Sequence, residues 1–215
     1  MEENLQKSGE SQEQSPNQAQ NNEKYVYSFK EGKKEMKELL GGKGANLAEM
    51  TSLGLPIPQG FTITTQACQK YYDEGGKLPQ EIKQETEQKL AELEQETGKK
   101  LGDNENPLLV SVRSGAAQSM PGMMDTVLNL GLNDNAVEAI SKSTNNPRFA
   151  YDAYRRFIQM FGDVVMKIKH EHFENILTKT KQEKGIEYDY ELDVDDLKNL
   201  IEQYKQLINE KTQTG

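Results

Sequence analysis

The chain has 215 residues, of which 34% are hydrophobic and 28% are charged, and its formal net charge is -9. This excess of carboxylates disfavours nucleic acid and anionic membranes as main partners. No apolar run approaches the roughly 20 residues needed to span a bilayer, so the sequence excludes an integral membrane helix.

The first 24 residues are rich in Glu, Gln, Asn and Ser and have almost no apolar side chains. Such a segment buries too little surface to offset its ordering entropy, so we predict a disordered acidic tail over residues 1–24. It has neither the apolar core of a secretory signal nor the arginines of a transit peptide. The single cysteine, Cys68, is interpreted as a small core residue rather than a nucleophile and fits a reducing, cytoplasmic location.

Strand and helix patterns then alternate up to residue 106. They predict strands at 25–29 and 58–65, and helices from a glycine turn to Leu53, over 66–73 and from Pro79 to about Thr97. The last helix has only a thin apolar stripe and is expected to lie on the surface.

A glycine turn surrounds Lys43, with Gly41 and Gly42 before it and Gly44 after it. Such a turn at the start of a helix offers N–H groups, the positive end of the helix dipole and one ammonium group to a phosphate. It is not a Walker A loop, because the glycine spacing differs and no Ser or Thr follows the lysine. On the residues alone, an exposed lysine in a glycine turn is the simpler interpretation.

A second candidate site follows the apolar run Leu108–Val112, which predicts a buried strand. The strand leads to Arg113, and then to the small residues Ser114 and Gly115. A guanidinium group beside exposed N–H groups suits phosphate. The plainer alternative is a strand–turn–helix corner with a surface arginine, since a helical pattern could begin at Asp125–Thr126; the residues alone leave both open.

Helical patterns dominate from residue 133. Asn133 or Asp134 can cap a first helix, a strongly amphipathic helix starts at Pro147, and Asp193 caps the last helix with Asp196 three residues on. We expect a small helical subdomain. Its histidines, His170 and His172, are interpreted as surface residues, and its arginines Arg148, Arg155 and Arg156 suit ligand contacts and structural roles about equally.

Four stretches resemble the nucleotide-binding region of the pyruvate, phosphate dikinase family. They are Gly41-Gly-Lys-Gly-Ala-Asn-Leu-Ala-Glu-Met50, Val112-Arg-Ser-Gly-Ala116, the run from Ser119-Met-Pro-Gly-Met-Met-Asp125 to Asp134, and Pro147–Met166. The resemblance extends from about Tyr25 to the end of the chain, so it covers nearly everything except the tail.

The resemblance implies an α+β fold that forms the first part of an ATP-grasp nucleotide-binding domain. Residues 25–132 would be an α/β lobe with a mixed sheet, and residues 133–215 an inserted helical subdomain. Lys43 and Arg113 would contact ATP phosphates and act in catalysis. Ser114 and Gly115 would belong to the same binding site, and Gly122 and Met124 to a loop that closes over the nucleotide.

The resemblance also implies the reaction of the whole enzyme, in which ATP, phosphate and pyruvate give AMP, pyrophosphate and phosphoenolpyruvate. Full-length members would be homo-oligomers. The carboxylates that hold Mg²⁺ with ATP, and the phosphorylated histidine, would lie beyond this chain, so we expect the chain alone to bind ATP weakly or not at all and to be inactive. The alternatives are a phosphoenolpyruvate synthase fragment and a non-catalytic nucleotide-binding or regulatory module.

Overall fold

A computed structural model describes residues 23–115 and 125–213. Its strands are β1 (Val26–Ser28), β2 (Phe61–Ile63), β3 (Lys100–Leu101), β4 (Pro107–Leu108), β5 (Val110–Arg113) and β6 (Thr126–Leu130). Its helices are α1 (Lys37–Ser52), α2 (Thr65–Asp73), α3 (Gln80–Thr97), α4 (Asp134–Thr144), α5 (Pro147–Val164), α6 (His170–Lys184) and α7 (Val194–Gln213). Residues 1–22, most of the tail predicted to be disordered, lie outside the described residues.

The strands pair two by two. Strands β1 and β2 are antiparallel, β3 and β4 are parallel, and β5 and β6 are antiparallel. This combination of helices and small sheets confirms the α+β class. It differs from the single mixed sheet that we expected, because the described strands are short and none of them pairs with more than one neighbour.

Helix α1 is interrupted near its start. At Gly41 the backbone has φ 71° and ψ 166°, which is not helical, so a short first segment from Lys37 is followed by a second that runs to Ser52. Glycine adopts a positive φ without the steric cost that a side chain would impose. The predicted glycine turn before a helix is therefore present, although a further helical segment precedes it.

Strands β4 and β5 correct the expectation of one buried strand. Leu108 is buried, but Val112 is 49% exposed, and the residues from Ser111 to Gly115 are all exposed. The helix that could begin at Asp125–Thr126 is also wrong, because residues 126–130 form strand β6. Hydrogen bonding to β5 determines this outcome, and that contact is not visible in the local pattern.

Local capping signals locate the ends of the later helices as predicted. The Asn133 side chain accepts the N–H groups of Asn135 and Ala136 at the start of α4. Before α7, Asp193 and Asp196 accept each other's N–H groups at 2.9 and 3.2 Å, which is a reciprocal capping arrangement.

The larger hydrophobic core lies among helices α4 to α7. Its fully buried centre includes Phe173 and Tyr204, whose rings meet edge to face with centroids 5.0 Å apart. Gly162 of α5 permits this packing, since a Cβ there would lie 2.4 Å from the Cζ atom of Phe173. Leu192 and Leu197, which lie on either side of the start of α7, belong to the same core.

A smaller core joins α3 to β1, through Ile82, Val26 and neighbouring side chains. Glu85 of α3 accepts the N–H groups of Tyr25 and Val26 at 2.7 and 2.8 Å. These contacts confirm α3 as a surface helix with a thin buried stripe. No helix within the described residues is long and apolar enough to cross a membrane.

Candidate phosphate-binding site

Lys43 lies in the first turn of the restarted α1 and is partly buried. The adjacent Gly44 brings this turn close to β2, because a Cβ at Gly44 would lie 3.0 Å from both the Cγ2 and Oγ1 atoms of Thr62. The close contact with β2 therefore fixes the position of the turn that contains Lys43. The first turn of a helix also has N–H groups without intrahelical acceptors, which suits an anion.

Arg113 is the last residue of β5 and lies opposite Thr126 in the β5–β6 hairpin. Its side chain is exposed. Strand β6 is the better anchored partner, since Val127 is buried and Leu128 donates its N–H to the Sδ atom of Met160 in α5 at 3.1 Å. The hairpin therefore holds an exposed guanidinium group on a strand that is fixed to the helices.

The two predicted cationic residues come together in space. Partial burial lowers the pKa of Lys43 below its ordinary value of 10.5, and the positive charge of Arg113 lowers it further. Because such repulsion weakens with distance and with screening, the two charged groups lie within electrostatic range of each other. An anion bound near both groups would favour the charged form of Lys43.

Ser114 connects the end of β5 to the residue that precedes β6. Its N–H donates to the Asp125 carbonyl at 2.9 Å, and its Oγ accepts the Asp125 N–H at 2.9 Å. Gly115, the next residue, is exposed, with no atom within 4 Å of the position that a Cβ would take. Gly122 and Met124, which were also predicted for this site, lie outside the described residues.

The sequence did not indicate a role for Asp125, although its bonds to Ser114 end the hairpin. A detectable signal was present in Ser114, because serine hydroxyl groups often bond to nearby main-chain groups, whereas Asp125 contributes only its main-chain N–H and carbonyl groups. The helical interpretation of residues 125 and 126 concealed it.

No group of three or more His, Cys, Asp or Glu side chains among the described residues is arranged to hold a metal ion. The described residues therefore do not fit a Mg²⁺ site of their own. The resemblance implies that the Mg²⁺ ligands lie elsewhere.

The remaining candidates have contacts of their own. His170 is exposed, with Asp163 3.3 Å from its Nδ1 atom and Glu174 3.5 Å from its Nε2 atom. Cys68 is exposed on α2, so its assignment to the core is wrong; the neighbouring Ala67 takes the buried position.

Two of the three arginines in α5 have structural roles. Arg148 donates to the carbonyl groups of Leu192 and Asp189 at 2.9 and 2.7 Å, and thereby holds the turn before α7. The Arg155 side chain is 2% exposed and bonds to Asp152 at 2.7 Å. Arg156 is 60% exposed and lies 3.0 Å from the same carboxylate.

Known proteins are similar to this chain. Residues 37–97 and 74–159 match the family described as pyruvate phosphate dikinase, AMP/ATP-binding domain. The chain is 60% identical over 187 residues to pyruvate, phosphate dikinase of Clostridium symbiosum, with 87% of this chain and 21% of that protein covered. It is 52% identical over 177 residues to the Entamoeba histolytica dikinase, with 82% and 20% covered.

A plant relative gives the same result. Identity to the Arabidopsis thaliana protein named pyruvate, phosphate dikinase 1, chloroplastic, is 54% over 187 residues, with 85% of this chain and 19% of that protein covered. The chain therefore spans about one fifth of the length of the curated relatives that it matches.

Proposed function

Because the chain belongs to the family of pyruvate phosphate dikinase AMP/ATP-binding domains, we propose that the face shared by Lys43 and Arg113 binds the phosphates of ATP. The observation that supports this most is the lowered pKa of Lys43, which is caused first by partial burial and then by the positive charge of Arg113. The negative charge of a polyphosphate would favour the charged form of Lys43.

The two cations would act differently on the nucleotide. Arg113 offers a planar fork that can bind two phosphate oxygens at once, whereas Lys43 offers a point charge beside the N–H groups of a helix start. In phosphoryl transfer, such groups offset the charge that develops on the transferred phosphate. Gly115 lies beside Arg113 and leaves room for phosphate to approach the main chain.

The wider activity is part of the same proposal. In a longer protein, this segment would be the start of an ATP-grasp domain, with residues 25–132 as one lobe and residues 133–215 as a helical subdomain. That protein would use ATP, with Mg²⁺ as its counter-ion, together with phosphate and pyruvate. The names of the relatives favour the dikinase over phosphoenolpyruvate synthase. The longer protein would also be a homo-oligomer and would lie in the cytoplasm.

Calorimetric titration of the chain with Mg·ATP tests the site, with Lys43→Ala and Arg113→Ala as the variants. Loss of one charged hydrogen bond costs about 1.5–3 kcal/mol, so each variant should weaken binding by roughly 10- to 150-fold. Lys179→Ala is the control, because it removes one positive charge from an exposed position on α6. Equal affinities for all four proteins would reject the proposed site, whereas no saturable binding by the unaltered chain would agree with the expectation that this segment alone binds ATP weakly or not at all.

A further inference from the structure

We infer that Ser114 is a positioning residue, whose hydroxyl group closes the β5–β6 hairpin and thereby holds Arg113 on the face that it shares with Lys43. This inference rests on the proposed ATP-phosphate site. It gives Ser114 a role that acts through Arg113, instead of the direct nucleotide contact that the resemblance implies.

The hydrogen-bond pattern at the end of the hairpin supports this role. In a regular antiparallel pair, the two facing residues exchange N–H to carbonyl bonds. Here the Ser114 N–H donates to the Asp125 carbonyl at 2.9 Å, but the return bond from the Asp125 N–H goes to the Ser114 Oγ, also at 2.9 Å. The hydroxyl group therefore replaces a main-chain acceptor in the last pair of the ladder.

Arg113 depends on this last pair more than on bonds of its own. Pairs with and without hydrogen bonds alternate along an antiparallel ladder, so Arg113 and Thr126, next to the bonded pair Ser114 and Asp125, form a pair without hydrogen bonds. The main chain at Arg113 is thus held by the bonded pairs on either side. One of these is closed by the Ser114 side chain.

Packing does not replace these bonds. All five residues from Ser111 to Gly115 are exposed, so no apolar side chain anchors this end of β5. A two-stranded ribbon without a buried face is only marginally stable in water. Loss of the Ser114 hydroxyl group should therefore let the end of β5 separate from β6 and move the guanidinium group away from Lys43.

A direct contact between the Ser114 hydroxyl and phosphate would compete with the closure. The Oγ atom already accepts the Asp125 N–H, and it lies 3.4 Å from the Asp125 carbonyl oxygen to which its own hydrogen can point. The Ser114 N–H is engaged as well. The hydroxyl group and the N–H of Ser114 therefore both take part in closing the hairpin.

The test compares Ser114→Ala, Ser114→Thr and Arg113→Ala with the unaltered chain. The pKa of Lys43 is measured without nucleotide, by NMR of isotope-labelled lysine side chains, and Mg·ATP affinity is measured separately. Ser114→Ala should raise the pKa of Lys43 in the same direction as Arg113→Ala, and should weaken Mg·ATP binding by about 3- to 10-fold, as expected for one neutral hydrogen bond. Ser114→Thr keeps a hydroxyl group, so the pKa of Lys43 and the Mg·ATP affinity should match those of the unaltered chain.

Two outcomes would overturn the inference. If Ser114→Ala weakens Mg·ATP binding but leaves the nucleotide-free pKa of Lys43 unchanged, then Ser114 contacts phosphate directly. If Ser114→Ala changes neither value, the hydroxyl group does not position Arg113. Failure of the proposed function would give a different result: Arg113→Ala would change the pKa of Lys43 but would not affect Mg·ATP binding.

Discussion

Lys43 and Arg113 lie far apart in the chain but close enough in space for the charge of Arg113 to contribute to the lowered pKa of Lys43. Two separate structural features create this relationship. The break at Gly41 restarts α1 just before Lys43, and the β5–β6 hairpin ends at Arg113. The proposed ATP phosphates would favour the charged form of Lys43 in this arrangement.

Replacement of Arg113 should be detectable at Lys43 in the nucleotide-free protein. We expect Arg113→Ala to raise the pKa of Lys43, because the repulsion between the two charges is removed. The rise should stop short of the ordinary value of 10.5, since partial burial, the larger cause of the shift, remains. NMR titration of labelled lysines measures the change, and Arg156→Ala, which removes an exposed arginine paired with Asp152, should leave the value unaltered.

Arg155 and Arg156 form a matched pair, because both bind the carboxylate of Asp152. Arg155→Ala should reduce the free energy of unfolding by about 3 kcal/mol, since a buried ion pair loses one partner. Arg156→Ala should change it by less than about 0.5 kcal/mol, since that pair is exposed to water. Urea unfolding measures both values, and similar losses would show that burial does not distinguish the two arginines.

The stability of the N-terminal part should depend on the ionisation of Glu31. Burial raises the pKa of this carboxyl group, but hydrogen bonds from Lys24, the Ser28 N–H and Lys89 outweigh that effect and lower the pKa to about 2. A lowered carboxyl pKa stabilises the folded state above the unfolded value of about 4.5, and this stabilisation is lost as the pH falls towards 2.

Glu31→Gln should therefore reduce the free energy of unfolding at pH 7, by about 1 kcal/mol once solvent screening is allowed for. The difference from the unaltered chain should shrink between pH 4.5 and pH 2, as Glu31 becomes protonated. Urea unfolding at pH 7 and pH 3 measures it. Glu96→Gln, which disrupts the exposed pair with Lys30, is the control, and an equal loss in both variants at pH 7 would contradict the prediction.

Gly162→Ala should destabilise the helical core, although alanine normally favours a helix over glycine. The added Cβ would lie 2.4 Å from the Cζ atom of the fully buried Phe173. Overpacking of this kind costs about 1–3 kcal/mol. Urea unfolding of Gly162→Ala, Phe173→Leu and the double variant checks the cause, since Gly162→Ala should cost less when residue 173 is the smaller leucine. An equal cost of Gly162→Ala in both backgrounds would show that the contact with Phe173 is not the cause.

Features that depend on interactions within a few residues were predicted correctly from the sequence. Asn133 before α4 and the pair Asp193 and Asp196 before α7 act on main-chain groups within three residues, so the local sequence was sufficient. Gly98, directly after the predicted end of α3 near Thr97, has φ 65°, a conformation that glycine readily adopts at a helix end.

Features that depend on distant partners were predicted less well. Strand β6 forms because β5 lies beside it, and nothing near Thr126 reveals that partner. Arg148 bonds to carbonyl groups near α7, so its structural role required the tertiary fold. For Lys43 and Arg113, the residue patterns suited an anion without deciding between a binding site and surface residues, and only the family resemblance implied that both serve one ligand.

The most direct test of the proposed site is the pKa of Lys43 with and without saturating Mg·ATP, measured on the labelled chain by NMR, because this method also detects weak binding. Phosphate oxygens near the ammonium group favour its charged form, so the proposed site predicts that Mg·ATP raises the pKa of Lys43. It also predicts a smaller rise, at equal Mg·ATP concentration, in Arg113→Ala. If Mg·ATP shifts other NMR signals of the chain, which shows that it binds, an unchanged pKa of Lys43 would contradict a phosphate contact at this residue.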